Sequence, residues 1–335
     1  MMVPLADAIA TGPFTIVVEL VASGLKREAE LLEVAANLAA IPEIAAGSIA
    51  SYPDGKVAQD PLRVGSAVRA RGLQPNVHLT CVNRDRVAMR QTLREMRALG
   101  LFNVFALTGD RPARAEPASA SELDSVRLTE MIAQLRATDG TPFYISVAVS
   151  PFTYSREEGL HQYARLEQKI AVGADLAITR PGWDARKFAE LKRYIDDRGL
   201  RIRLLGNVHV LTRRAAEAMA AGKPPGHYIS PDLLEALRKE SDSADGGLQA
   251  RLDRAAKTLV VLKGLGYAGA YITGTHAADQ ITEILHRARD FERDPQHCAD
   301  DLQFGARDGF YLDASASAAP GTAGATTLKP APLQS

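Results

Sequence analysis

"RDRVAMRQTLREMRALGLFNVFALTGD", residues 84–110, holds in one piece the unit from which the chain is built. Its first part carries apolar residues at three- and four-residue spacing, the pattern of a helix with one buried face. Gly100 follows as a C-terminal cap. Next comes a short run, Phe102–Leu107, that is apolar throughout rather than alternating, which is how a strand covered on both faces reads. The unit ends on an acidic residue, Asp110, directly behind a glycine. A turn or helix-capping role explains that carboxylate as well as a catalytic one does.

The same rhythm repeats in both directions. Further strands are predicted at Phe14–Val21, Ile44–Ala50, Asn76–Cys81, Phe143–Val149, Leu176–Thr179, Ile202–Gly206 and Gly269–Thr273, with helical stretches between them such as "KREAELLEVAANLAA" from Lys26. Eight strand–helix repeats in roughly 280 residues match an α/β fold of the (β/α)8 TIM-barrel type. A doubly wound open sheet is the runner-up. The longest gap, between the seventh and eighth strands, predicts a helical insertion with helices near Ser230–Glu240 and Leu248–Leu265. Residues 1–312 are read as a single barrel domain. From Asp313 onward the chain is rich in Ala, Ser, Pro, Thr and Gly and is expected to be disordered, since it cannot bury enough apolar surface to offset its ordering entropy. A smaller mobile loop is expected at 113–121.

Lys plus Arg and Asp plus Glu balance at 40 each, so no basic field points to nucleic acid or to a membrane surface. No apolar run reaches the ~20 residues that span a bilayer. The N-terminus lacks the basic start of a signal peptide. Two separated cysteines, Cys81 and Cys298, argue against a disulfide framework and for a reducing cytoplasm. No histidine cluster has metal-ligand spacing, so no metal is expected. Homo-oligomerisation stays open. "GLGYAG" (264–269) fits a dinucleotide fingerprint on paper, but a helix precedes it and a strand follows, the reverse of what that motif needs.

Candidate chemistry therefore rests on polar residues at the C-terminal ends of strands, the face that carries barrel active sites. Glu19, inside "TIVVELVAS", is either half of a buried ion pair or a general acid whose pKa burial raises. His78, in "VHLTC", is either a core histidine or a site residue. Arg180, in "AITRPGWD", is either a surface ion-pair partner or a ligand contact.

In this order, Glu19, "HLTC" (78–81), "ALTGDRP" (106–112), "KIAVGADLAITRPGWD" (169–184) and "LLGNVHVLTRRAAEAMAAGKPPGHYISPDLLEAL" (204–237) resemble the methylenetetrahydrofolate reductase family. The resemblance implies a barrel that reduces 5,10-methylenetetrahydrofolate to 5-methyltetrahydrofolate, with FAD relaying hydride from NADH or NADPH. It makes Glu19 the general acid and Asp110 the acidic residue beside flavin and pterin. It places His78, Thr108 and Gly109 along the flavin and Lys169 near the flavin phosphates. The polar and basic positions on helix five become Gln162, Arg165 and Gln168, the polar loop after strand two is altered to "SYPDGK", and three strand-end positions also depart from the family pattern. Thr108 stands where arginine is usual, Ser150 where a tyrosine often packs on flavin, and Arg180 where a glutamine contacts folate. Direct hydride transfer without flavin, the reverse oxidation, and a non-catalytic barrel that binds folate or a partner subunit are the alternatives.

Overall fold

The computed structural model describes residues 3–21, 28–50, 60–81, 84–109 and 123–312. A short helix, α1 (Leu5–Thr11), leads into β1 (Thr15–Val21). Helices and strands then alternate: α2 (Glu28–Ala39), β2 (Ile44–Ala50), α3 (Pro61–Ala70), β3 (Gln74–Thr80), α4 (Arg86–Ala98), β4 (Asn103–Leu107), α5 (Ser125–Asp139), β5 (Tyr144–Val149), α6 (Arg156–Ala171), β6 (Leu176–Thr179), α7 (Ala185–Asp197) and β7 (Arg203–His209). Three helices, α8 (Arg213–Ala220), α9 (Pro231–Ser241) and α10 (Leu248–Gly264), stand between β7 and β8 (Gly269–Thr273). After β8 come α11 (Ala278–Phe291) and α12 (Pro295–Asp300).

All eight strands are parallel, and β1 pairs with both β2 and β8, with Thr15 opposite Gly269. That last pairing closes the sheet and rules out the open doubly wound alternative. The unit at 84–107 forms for local reasons. The Asp85 carboxylate caps α4 by accepting from the Ala88 N–H at 2.7 Å. At the other end Gly100 takes φ 67°, which lets Gly100 and Leu101 donate back to the carbonyls of Arg97 and Met96. The chain is thereby turned straight into β4.

Each strand buries both faces, which explains the unbroken apolar runs. Outward residues such as Ile16, Val18 and Leu20 join the layer under the helices. Inward residues Val17, Ala46, Phe105, Leu176, Ile178, Leu205 and Tyr271 fill the barrel, and Leu5 and Ile9 of α1 pack against them. Helix α1, which the sequence reading did not assign, thus seals the end opposite the strands' C-termini. In the segment between β7 and β8, α10 packs so closely on β7 that a methyl group at Gly206 would clash with Leu262. Helices α8 and α9 form a satellite core with Trp183 of the β6–α7 connection.

Two strands differ from their predicted bounds by more than one residue. β3 starts at Gln74 and runs through Pro75, whose carbonyl accepts from the Asn103 side chain at 3.0 Å. β7 continues past Gly206 to His209, because Asn207 and His209 find partners on neighbouring strands. The "GLGYAG" stretch ends α10 and enters β8, as a helix stop and not as a nucleotide loop.

Candidate active site

Side chains alternate along a strand, so the residue two places beyond each inward core residue also faces the barrel axis, one layer nearer the C-terminal mouth. On β1 that residue is Glu19 and on β2 it is Ser48. Just past β6 it is Arg180, on β7 Asn207 and then His209, and on β8 Thr273. These side chains form the layer in which chemistry can occur.

Glu19 is half-buried, and its partner among the described residues is the Tyr271 phenol rather than a cation. Burial pushes its carboxyl up to about 7, against the opposing hydrogen bond from Tyr271. Among the described residues Glu19 is thus an acid that can hold its proton near neutrality rather than half of an ion pair. His78 on β3 is buried, with Nε2 lying 2.9 Å from the Ser48 hydroxyl and 3.1 Å from the Tyr271 hydroxyl. Burial pushes its imidazole down to about 3, so it is neutral. The Asn76 amide donates to Ser48 Oγ at 3.1 Å from one layer below. Edge-on contacts of Phe105 with His78 and Tyr271, at 4.9 and 6.1 Å between ring centres, make the apolar floor.

A second network crosses the far side of the mouth. Thr273 donates to Asn207 Oδ1 at 2.8 Å and lies 2.8 Å from His209 Nδ1. Burial first, and the nearby His227 second, push His209 down to about 4. Next to this network is a cavity of about 420 Å³, lined by Ser150, Tyr154, His161, Arg180, His227 and Tyr228 among others. The Thr153 hydroxyl, also on its wall, is buried with no hydrogen-bond partner among the described residues. Arg180 Nη2 donates to the Pro225 carbonyl at 2.9 Å, tying β6 to the segment after α8.

The structure brings Glu19 and His78 together and sets Arg180 on the cavity wall. Thr108 and Gly109 follow β4, with Gly109 at φ 86°. The Thr108 hydroxyl accepts from the Ser125 N–H at 3.1 Å. Asp110 lies outside the described residues. Lys169 is buried, and its ammonium donates to the Ala148 carbonyl at 2.7 Å. Burial pushes it down to about 8. Ser48, Tyr271, Asn207, His209 and Thr273 were missed in the sequence. The signal that exposes them is their two-residue offset from inward apolar residues, usable only once the inward face is known.

The side chains assigned to flavin by resemblance each have a partner inside the protein but keep capacity for a ligand, since the Thr108 hydroxyl retains its hydrogen and the Lys169 ammonium two of its three N–H groups. The His78 ring nitrogen, the Thr108 hydroxyl and the Lys169 ammonium are each engaged inside the protein. Among the described residues no three His, Cys, Asp or Glu side chains gather as a metal site, and no helix is long and apolar enough to cross a membrane.

Fold and site together define an α/β barrel with a protonatable carboxyl among neutral polar groups at its mouth. Comparison with known proteins adds the family. A methylenetetrahydrofolate reductase family model matches residues 24–244, and the chain belongs to that family. It is 26% identical over 156 residues to methylenetetrahydrofolate reductase 2 of Saccharomyces cerevisiae, covering 46% of this chain and 26% of that one. It is 25% identical over 138 residues to 5,10-methylenetetrahydrofolate reductase of Salmonella typhimurium, covering 41% and 44%. The matches to these relatives thus span less than half of their length. A solved structure of an uncharacterised Clostridium thermocellum protein that binds two copies of 5-methyl-5,6,7,8-tetrahydrofolic acid superposes with a TM-score of 0.55 at 11% identity, over 86% of this chain and 99% of that one. That likeness shows the fold. The family match begins after Glu19 and ends before Tyr271, so the roles of both residues rest on geometry.

Proposed function

We propose that the protein interconverts 5,10-methylenetetrahydrofolate and 5-methyltetrahydrofolate, with reduced nicotinamide as the hydride source in the reductive direction. The observation that carries this reading is Glu19: an inward carboxyl at the barrel mouth whose pKa burial raises to about 7. In the reductive direction, Glu19 donates its proton to N10 of the substrate. The five-membered ring opens to a 5-iminium cation, and hydride from the nicotinamide is added to its methylene carbon. One proton and one hydride are consumed for each methyl group formed. Positioned acids of this kind contribute ~10²–10⁴-fold to rate. Asp110 is proposed as a second carboxylate that steadies the cation, and Arg180 as a contact for an anionic part of folate or nicotinamide.

The departures from the family pattern at Thr108, Ser150 and Arg180 keep direct transfer from nicotinamide to folate open beside relay through FAD. The folate-binding Clostridium neighbour supports folate as the ligand class. NADH or NADPH oxidation that depends on methylenetetrahydrofolate tests the reading, with absorbance of the purified protein reporting any flavin. A protein that binds folate but shows no such oxidation, nor the reverse reaction, would be a non-catalytic folate barrel.

A further inference from the structure

His209 stands at the mouth with no part in the acid chemistry, and its neighbours fix which of its ring nitrogens is bare. Thr273 has one hydroxyl hydrogen and donates it to Asn207 Oδ1 at 2.8 Å. Toward His209 Nδ1, also 2.8 Å away, the same oxygen can then only accept, so Nδ1 carries a hydrogen. Burial, and then the nearby His227, hold the imidazole down at about 4, so at neutral pH it is uncharged and has a single N–H. Nε2 is therefore a bare acceptor, and among the described residues it has no hydrogen-bond partner. That edge of the ring lies against glycine backbone. A methyl group at Gly274 would come 3.1 Å from both Cε1 and Nε2. Trp183 meets the ring edge-on at 6.0 Å between centres. The side chain is held on these sides yet remains partly exposed.

Strand register relates this acceptor to the acid. Val18 pairs with Ile272 and Thr273 pairs with His209, so Glu19, Thr273 and His209 stand at one level on β1, β8 and β7. Two strand spacings put the Glu19 and His209 backbones about 10 Å apart along the barrel wall. A folate that presents N10 to Glu19 has its fused pteridine ring system alongside. One edge of that ring system carries N–H donors, at N3 and at the 2-amino group, and each needs an acceptor once it leaves water. In the network between β7 and β8 the Thr273 hydrogen is spent on Asn207, and Nε2 is the acceptor left for a ligand.

We propose that His209 is a specificity-determining residue whose bare Nε2, fixed by the relay through Thr273 to Asn207, accepts a hydrogen bond from the N3 and 2-amino edge of the folate pteridine. The proposal rests on the reading of folate as substrate. Nitrogen-15 NMR of histidine-labelled protein at neutral pH, with the His209 signals assigned by their loss in His209→Phe, reads the ring directly. The proton should sit on Nδ1, and the Nε2 signal should move upfield when 5-methyltetrahydrofolate is added and stay in place with NADH. His209→Phe keeps a ring beside Trp183 and Gly274 and removes the acceptor. Its Kd for 5-methyltetrahydrofolate should rise about tenfold, the size expected when a buried donor loses its partner, with the Kd for NADH within about threefold. His209→Gln, whose amide oxygen can stand near the place of Nε2, should recover part of the folate affinity, which keeps the test open if His209→Phe folds poorly. A proton on Nε2 in the wild type overturns the proposal. So does an Nε2 signal that follows NADH instead of folate, or a folate Kd unchanged in the variants that fold. A wild type that binds folate without turnover would sink the proposed reaction alone, with the nitrogen signal still deciding the His209 contact, and one that binds no folate would overturn both.

Discussion

At the scale of single residues, the mouth is governed by what burial does to charge. Glu19 is held near 7 when folded, against about 4.5 for the free side chain. A carboxyl raised in this way has its stabilising contribution in full below pH 4.5 and loses it as pH rises through 7, because the unfolded chain ionises first. Glu19→Gln should therefore flatten the decline in stability between pH 4.5 and 7, gaining up to about 3 kcal/mol above pH 7 from the size of that shift. Folate turnover in the same variant should drop by ~10²–10⁴-fold. Thermal melts across that pH range and turnover rates check both halves. Turnover within about threefold of wild type would falsify the acid role. Arg180→Gln tests the cavity. Loss of one charge-assisted contact should raise KM for folate or nicotinamide about ten- to a hundredfold. Because Arg180 also holds the Pro225 carbonyl, a lowered melting temperature with unchanged KM would make it a structural tie instead.

At the scale of elements, the helix that plugs the barrel has the clearest consequence. Leu5 and Ile9 are 0% and 2% exposed and lie among inward residues of β1, β2, β4, β6, β7 and β8. Ile9→Ala should cost about 2–5 kcal/mol in urea unfolding while leaving folate KM unchanged, since the mouth is at the other end. A loss of substrate affinity equal to the loss of stability would show that the plug and the mouth are one cooperative unit. This helix also marks where sequence reading stopped. Its apolar residues are too few to stand out from a loop, and only the barrel around them gives them a purpose. The strands were legible because two-sided burial writes each as an unbroken apolar run, and Gly100 announced its turn. Glu19 was legible for the same reason: a charge inside such a run is conspicuous. Tyr271 and Ser48 were not, because a tyrosine and a serine in an apolar strand look like filler until the register of β1, β2, β3 and β8 sets them around one carboxyl.

At the scale of the whole molecule, the described chain ends by crossing back over α7 and locking a buried ion pair in place. Lys187 and Glu190 are 0% and 3% exposed, 3.0 Å apart. The Lys187 ammonium also donates to the Phe310 carbonyl at 2.8 Å, and Glu190 accepts from the Leu312 N–H and the Tyr163 hydroxyl. Tyr311 donates to the buried Asp184 carboxylate at 2.6 Å, and Phe304 hydrogen-bonds back to Trp183, whose ring meets His209 edge-on at the mouth. Residues 302–312 are thus wired through α7 and the β6–α7 connection to the far wall of the site. We propose that the functional barrel extends to Leu312, so a chain ending there should keep the unfolding midpoint and turnover of the full chain. Lys187→Met, by contrast, leaves Glu190 buried without its cation and should cost about 3–5 kcal/mol. Adding Glu190→Leu should recover much of that stability, because two apolar side chains need no partners. Denaturant midpoints of the two single variants and the double variant give the coupling. If Lys187→Met alone leaves the midpoint unchanged, residues 302–312 do not depend on the ion pair, and their hold on α7 comes from the packing of Phe310 and Tyr311.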